Sequence, residues 1–206
     1  GMVELPTGKM KSREGTVVDA DDLLDEMEQV AKQKTEELGK VKDFTEEELK
    51  ELYQTLSLGA LKYYLLRVDP KKKMIFNPEE SIDFHGHTGP FIQYTHARIK
   101  SILRKEKATD TTTVSANLLP LEKELLIELE NYPAVIEQAC KEHDPSHIAN
   151  YVYHLAKTYN SFYTEHSVMN AESADKKQLR LLLCSFTANV IAGAMQLLGI
   201  KVPERM

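Results

Sequence analysis

Gly89-Pro90-Phe91-Ile92-Gln93-Tyr94-Thr95-His96-Ala97-Arg98 is where the chain changes character. Gly86 and the Gly89-Pro90 pair interrupt what precedes them, and proline suits a helix's first turn because its missing N–H has no intrahelical partner there. From Phe91 to Lys107, Ile92, Thr95, Ile99, Ile102 and Leu103 recur at helical spacing. The pattern predicts a helix with a domain boundary just before it, dividing the chain into 1–85 and 86–206. Phe91, Tyr94 and Arg98 stand at i, i+3 and i+7, which is one side of such a helix. Flat rings stack on unpaired bases and a guanidinium holds phosphate, so this side suits a single-stranded RNA loop. On spacing alone, an aromatic stripe more commonly fills a core.

Downstream, four more helices are expected at about 120–131, 133–143, 145–166 and 173–198, started by Pro120, Pro133, Asp144-Pro145 and Ser173. The threonine-rich stretch Ala108 to Asn117 reads as a polar loop. Upstream, Asp19-Ala20-Asp21-Asp22 offers N-cap acids to a stripe ending at Gly39, and Thr45 with Glu48 forms a capping box. Met74-Ile75-Phe76 and Ser81-Ile82-Asp83-Phe84 are short enough to form a small β pairing with each other. The fold class is therefore mostly α, and residues 86–206 read as an all-α bundle.

The 206 residues are 42% hydrophobic, with nine glycines and eight prolines, the profile of a globular chain. Apolar runs such as Leu181 to Cys184 and Val190 to Met195 fall far short of the roughly 20 residues that span a bilayer. No charged-then-apolar leader begins the chain, so a cytoplasmic location is expected. Cys140 and Cys184 lack a C-x-x-C partner and read as buried free thiols. Net charge is −6, yet residues 58–107 carry ten Lys and Arg against five Asp and Glu. A basic island in an acidic chain keeps a nucleic-acid partner open, although a solvated helix face explains it as well. His85-Gly86-His87 has no third ligand at fitting spacing, so no metal site is expected there.

The N-terminal stretch Gly8-Lys9-Met10-Lys11-Ser12-Arg13-Glu14-Gly15-Thr16 puts three cations within five residues between glycines, a form suited to gripping a polyphosphate. Together with Gly89 to Arg98 and the ending Leu197-Leu198-Gly199-Ile200-Lys201-Val202-Pro203-Glu204-Arg205-Met206, it resembles the C-terminal part of arginyl-tRNA synthetases, over nearly the whole chain. The resemblance makes the loop the counterpart of the class I signature lysine-methionine-serine-lysine-serine. Ser12 stands where the second lysine would be. Lys9, Lys11 and Arg13 jointly are then the catalytic cations, and Lys9, Met10, Lys11 and Ser12 the ATP-binding positions. The same resemblance implies anticodon-loop contacts at Phe91, Tyr94, Arg98, Tyr163 and Met206. It makes Asp175-Lys176-Lys177-Gln178-Leu179-Arg180-Leu181 a loose version of the Asp-Ala-Leu-Arg motif, with Arg180 pinning helices together.

The implied architecture is the end of a class I catalytic domain over 1–85 and an all-α anticodon-binding domain of the Asp-Ala-Leu-Arg type over 86–206. The implied enzyme is a monomeric arginine-tRNA ligase that joins L-arginine to ATP, with Mg²⁺, and passes the arginyl group to tRNA(Arg); neither DNA nor a membrane is a partner. The region expected to hold the nucleotide-binding sheet is missing, so this chain alone is expected to bind RNA weakly and catalyse nothing. The alternative is a freestanding helical interaction module in which the aromatics are core and the N-terminal loop is incidental. Tyr151, Tyr153, Tyr159 and Phe162 are not sorted between core and surface by the sequence.

Overall fold

A computed structural model describes residues 1–4, 20–37, 39, 43–106 and 117–206. The signature-like loop with Lys9, Met10, Lys11, Ser12 and Arg13, and the loop expected over 108–117 except Asn117, lie outside the described residues.

Helix α1 (Ala20–Glu37) and helix α2 (Glu46–Leu66) form a hairpin. The expected capping box starts α2, with Thr45 accepting from the Glu48 N–H and Glu48 accepting from the Thr45 N–H. Strand β1 (Val3–Glu4) pairs in parallel with strand β2 (Met74–Ile75). This corrects the expected pairing of Met74-Ile75-Phe76 with Ser81-Ile82-Asp83-Phe84. Asn77 caps the backbone of Glu79 and Glu80, Pro78 takes the first helical position, and Ser81 ends a short helix α3 (Pro78–Ser81).

Thr88 then caps helix α4 (Gly89–Lys105), accepting from the Phe91 N–H at 3.3 Å. Gly89 is required by close approach, because a Cβ there would lie 2.5 Å from the Gly59 carbonyl oxygen on α2. Helices α5 (Pro120–Glu130), α6 (Tyr132–Glu142), α7 (Ser146–Glu165) and α8 (Ala174–Leu197) complete the bundle close to the expected boundaries. Two apolar clusters result. One is built from α1, α2, Phe76, Ile82 and Phe84, and the other fills the bundle of α4 to α8. Adjacent tyrosines on α2 serve both: Tyr64 packs in the first, and Tyr63 packs in the second and donates to the Ala149 carbonyl at 2.8 Å.

Cys184 is buried as expected, and burial pushes its thiol up to about 11 against the opposing bond from Tyr159. Cys140 is exposed, which corrects the expectation. It lies on the outward side of the short edge helix α6, where Ala139 is the residue turned inward. Helix α8 is long and apolar enough by composition to cross a membrane, although the apolar runs within it are short; half of its most apolar window is buried in the bundle.

Candidate nucleic-acid interface

Helix α4 divides its sides among three tasks. Ile92, Ile99 and Ile102 enter the bundle core. Gln93, His96, Lys100 and Arg104, at i, i+3, i+7 and i+11, hold the chain's last residues. Gln93 donates to the Lys201 carbonyl at 2.8 Å, the His96 Nδ1 lies 2.9 Å from the Pro203 carbonyl, and Arg104 donates to the Glu204 carbonyl at 2.8 Å. Lys100 pairs with the Glu204 carboxylate at 3.0 Å. A carbonyl only accepts, so the His96 Nδ1 carries the hydrogen. Burial pushes the pKa of His96 down against the carbonyl's opposing effect, which favours the neutral ring.

The tail reaches α4 because Gly199 ends α8 with φ +69°, a left-handed conformation that lets the Ile200 N–H return to the Met195 carbonyl. The tail then runs back along α4 and delivers Arg205 and Met206 beside its third side, formed by Tyr94, Arg98, Ser101 and Lys105. There a cleft of about 880 Å³ opens. Tyr94, Arg98, Tyr163 and Met206 all line it, so residues from α4, α7 and the chain end meet at one place. Among the described residues of the lining, Arg104, Lys105 and Arg205 add three cations and Asp43 is the one acidic side chain. The Arg98 guanidinium carbon lies 4.8 Å from the Tyr94 ring centre and 5.3 Å from that of Tyr163, and Arg98 donates to the Asn160 side-chain oxygen. Such a cleft is lined by two aromatic rings and a surplus of positive charge, the chemistry that takes bases and phosphates together.

Phe91 does not join this group. Helix α7 crosses over that end of α4, and the Phe91 ring packs 5.5 Å from Tyr153 and against the bundle core. On α7, Ile148, Val152, Leu155, Tyr159 and Phe162 follow helical spacing and are all buried. Tyr151 is buried too, donating to the Glu128 carbonyl. Tyr163, one step past Phe162, is off that stripe and 39% exposed in the cleft. Sequence reasoning missed Phe44, Arg205 and Asn160. The Arg205 guanidinium lies 4.5 Å over the Phe44 ring and donates to the Asp43 carbonyl, closing one wall. The spacing 93, 96, 100, 104 was the available signal that α4 binds something along a second polar side.

Among the described residues, no group of three or more His, Cys, Asp or Glu is placed to hold a metal. His85 is exposed beside Asp83, while the His87 ring stacks 3.9 Å from Tyr153. Arg180 does pin helices together. It donates from Nε to the fully buried Glu122 of α5 at 2.9 Å, and from its other nitrogens to the Ser167 carbonyl and Glu172. Lys176 shares Glu122 at 2.5 Å. Burial opposes the charge on Glu122, but the bonds from Lys176, the Leu119 N–H and Arg180 outweigh it and hold the pKa below the usual carboxylate value.

Residues 92–206 match the model of the DALR anticodon binding domain, and residues 1–77 match that of the class I (R) tRNA synthetase catalytic domain. The arginine–tRNA ligase of Flavobacterium psychrophilum is 59% identical over all 206 residues, and that of Bacteroides fragilis 52% over an alignment of 213 that also covers the whole chain. The chain spans about a third of the length of these curated relatives, 34% and 35%. The solved Thermus thermophilus arginyl-tRNA synthetase superposes with a TM-score of 0.90 at 30% identity, over 100% of this chain and 34% of that one. The Plasmodium falciparum arginyl-tRNA synthetase gives a TM-score of 0.76 at 26% identity, over 92% and 34%.

Proposed function

The chain belongs to the class I arginyl-tRNA synthetases with a DALR anticodon-binding domain, and from that premise we propose that its bundle seats the anticodon loop of tRNA(Arg) in the cleft between α4, α7 and the chain end. The observation that carries this reading is the convergence of Tyr94, Arg98, Tyr163 and Met206 on one cation-lined cleft. Tyr94 and Tyr163 stack on loop bases, Arg98 holds phosphate, and Met206 packs against a base from the tail. Phe91 acts behind them as core. The boundary of this domain falls at 85/86, just before Thr88 caps α4.

The same membership supports the activity we propose for the protein of full family length. The protein activates L-arginine with ATP and Mg²⁺ and transfers it to tRNA(Arg), acting as a cytoplasmic monomer. Lys9, Lys11 and Arg13 grip the phosphates, with Met10 and Ser12 completing the loop. In an enzyme of full family length, Lys9→Ala or Lys11→Ala should slow adenylate formation by roughly 2–4 kcal/mol in activation free energy, the scale of one preorganised charged donor. This chain alone should show no arginine-dependent ATP–pyrophosphate exchange.

The test of the anticodon reading is a titration of the chain with an arginine anticodon stem-loop and with the same stem bearing a scrambled loop. Tighter binding of the arginine loop supports it. Equal binding of the two would return the cleft to a general polyanion surface.

A further inference from the structure

We infer that Asn160 is a positioning residue for RNA: its side-chain oxygen aims the Arg98 guanidinium between the Tyr94 and Tyr163 rings while leaving its charge intact. The inference rests on the proposal that this cleft binds an RNA loop, and goes beyond it to a residue that touches no RNA itself.

The orientation of the Asn160 amide is chemically forced. Its nitrogen lies 2.9 Å from the Ala156 carbonyl oxygen and 2.8 Å from the Thr95 hydroxyl oxygen. The Thr95 hydroxyl gives its own hydrogen to the Phe91 carbonyl at 2.9 Å, so it must accept from Asn160. With both acceptors on that side, the amide oxygen faces Arg98, which can only donate. Thr95 on α4 and Ala156 on α7 thus fix the amide, and the amide fixes the guanidinium that the two rings flank.

A neutral acceptor is what an anion site needs at this point. A carboxylate would hold Arg98 just as firmly but would cancel its charge and repel an approaching phosphate. Among the described residues, Arg98 is held by the Asn160 amide and the two rings. The sequence gives no hint of this pair, because 98 and 160 are joined only through the packing of α4 against α7.

The experiment is a double-mutant cycle on the full chain, with an arginine anticodon stem-loop as probe and melting curves beside every titration. Arg98→Ala should weaken binding about three- to tenfold, the scale of one charge-assisted contact, and flatten the salt dependence by roughly 0.7 in log–log slope. Asn160→Ala should reproduce most of that loss in wild-type background and add less than about twofold when Arg98 is already alanine. Asn160→Asp, which sets a carboxylate beside Arg98 and gives up the N–H donations to Thr95 and Ala156, should also lower affinity and flatten the salt slope, because the guanidinium is then neutralised.

Full multiplication of the two losses in the double variant would overturn the inference, since Asn160 would then act independently of Arg98. So would wild-type binding by folded Asn160→Asp, or a loss in Asn160→Ala without a change in salt slope. If Arg98→Ala itself binds like wild type, it is the anticodon reading that fails rather than the role of Asn160 within it.

Discussion

Arg180 and Arg98 stand on packed helices of one bundle and are held in opposite ways. Arg180 is 2% exposed and meets the carboxylates of Glu122 and Glu172; its charge is used up inside the fold. Arg98 lines an open cleft and is held by a neutral amide and two rings. The difference separates an arginine that ties helices together from one whose positive charge remains available to a ligand. A guanidinium paired with buried carboxylates stabilises geometry, while one given only a neutral acceptor keeps its field.

Breaking the buried side of this comparison should have the largest effect. Arg180→Met leaves the buried Glu122 with Lys176 as its one remaining cation among the described residues, beside the Leu119 N–H, and should destabilise the fold by about 3–5 kcal/mol, the scale of breaking a buried ion pair. Urea denaturation measures it. RNA affinity of the remaining folded protein should not change, and a loss there would blur the distinction. On the open side, Tyr94→Ala should cost about 1–3 kcal/mol of stem-loop affinity through lost stacking. A fall in melting temperature without a fall in affinity would make Tyr94 a core residue, which its packing against the first apolar cluster allows the experiment to detect.

The smallest effect separates the regions by pH. His87 is pushed down to about 4, chiefly by burial and then by Arg67 and His154, and His96 beneath the tail is lowered as well. The unfolded chain takes up these protons first, near the ordinary value of about 6.5. Stability is therefore full above about 6.5 and declines as pH falls toward about 4. Glu122 has the reverse protonation but the same direction: its carboxylate is held low, so its contribution disappears only as pH falls through that depressed value. Melting temperature should begin to drop in mild acid in wild type and drop less in His87→Gln. An unchanged slope in that variant would remove His87 from the account.

Local patterns carried the sequence reading furthest where one element explains itself. The Thr45–Glu48 capping box, the proline starts of α5 and α6 and the glycine break before α4 all act within a few residues, so spacing reveals them. The cleft was legible in its members Tyr94, Arg98, Tyr163 and Met206 through family resemblance, since residues 94, 163 and 206 meet only after α8 ends at Gly199 and the tail folds back. Phe91 shows the limit of helical spacing, which gives a side of the helix but not which neighbour crosses it. The β pairing failed for a related reason: Met74 has a partner 71 positions upstream, Val3, which no local pattern connects to it. Cys140 departs from the expected burial because a short edge helix such as α6 buries little of itself.

The central claim is that Tyr163, off the buried stripe of α7, faces RNA rather than core. Titrating an arginine anticodon stem-loop into Tyr163→Ala, with melting curves recorded alongside, tests it most directly. The account predicts an affinity loss of about 1–3 kcal/mol with nearly wild-type melting. Wild-type affinity in the folded variant, or a large drop in melting temperature with binding preserved, would contradict it.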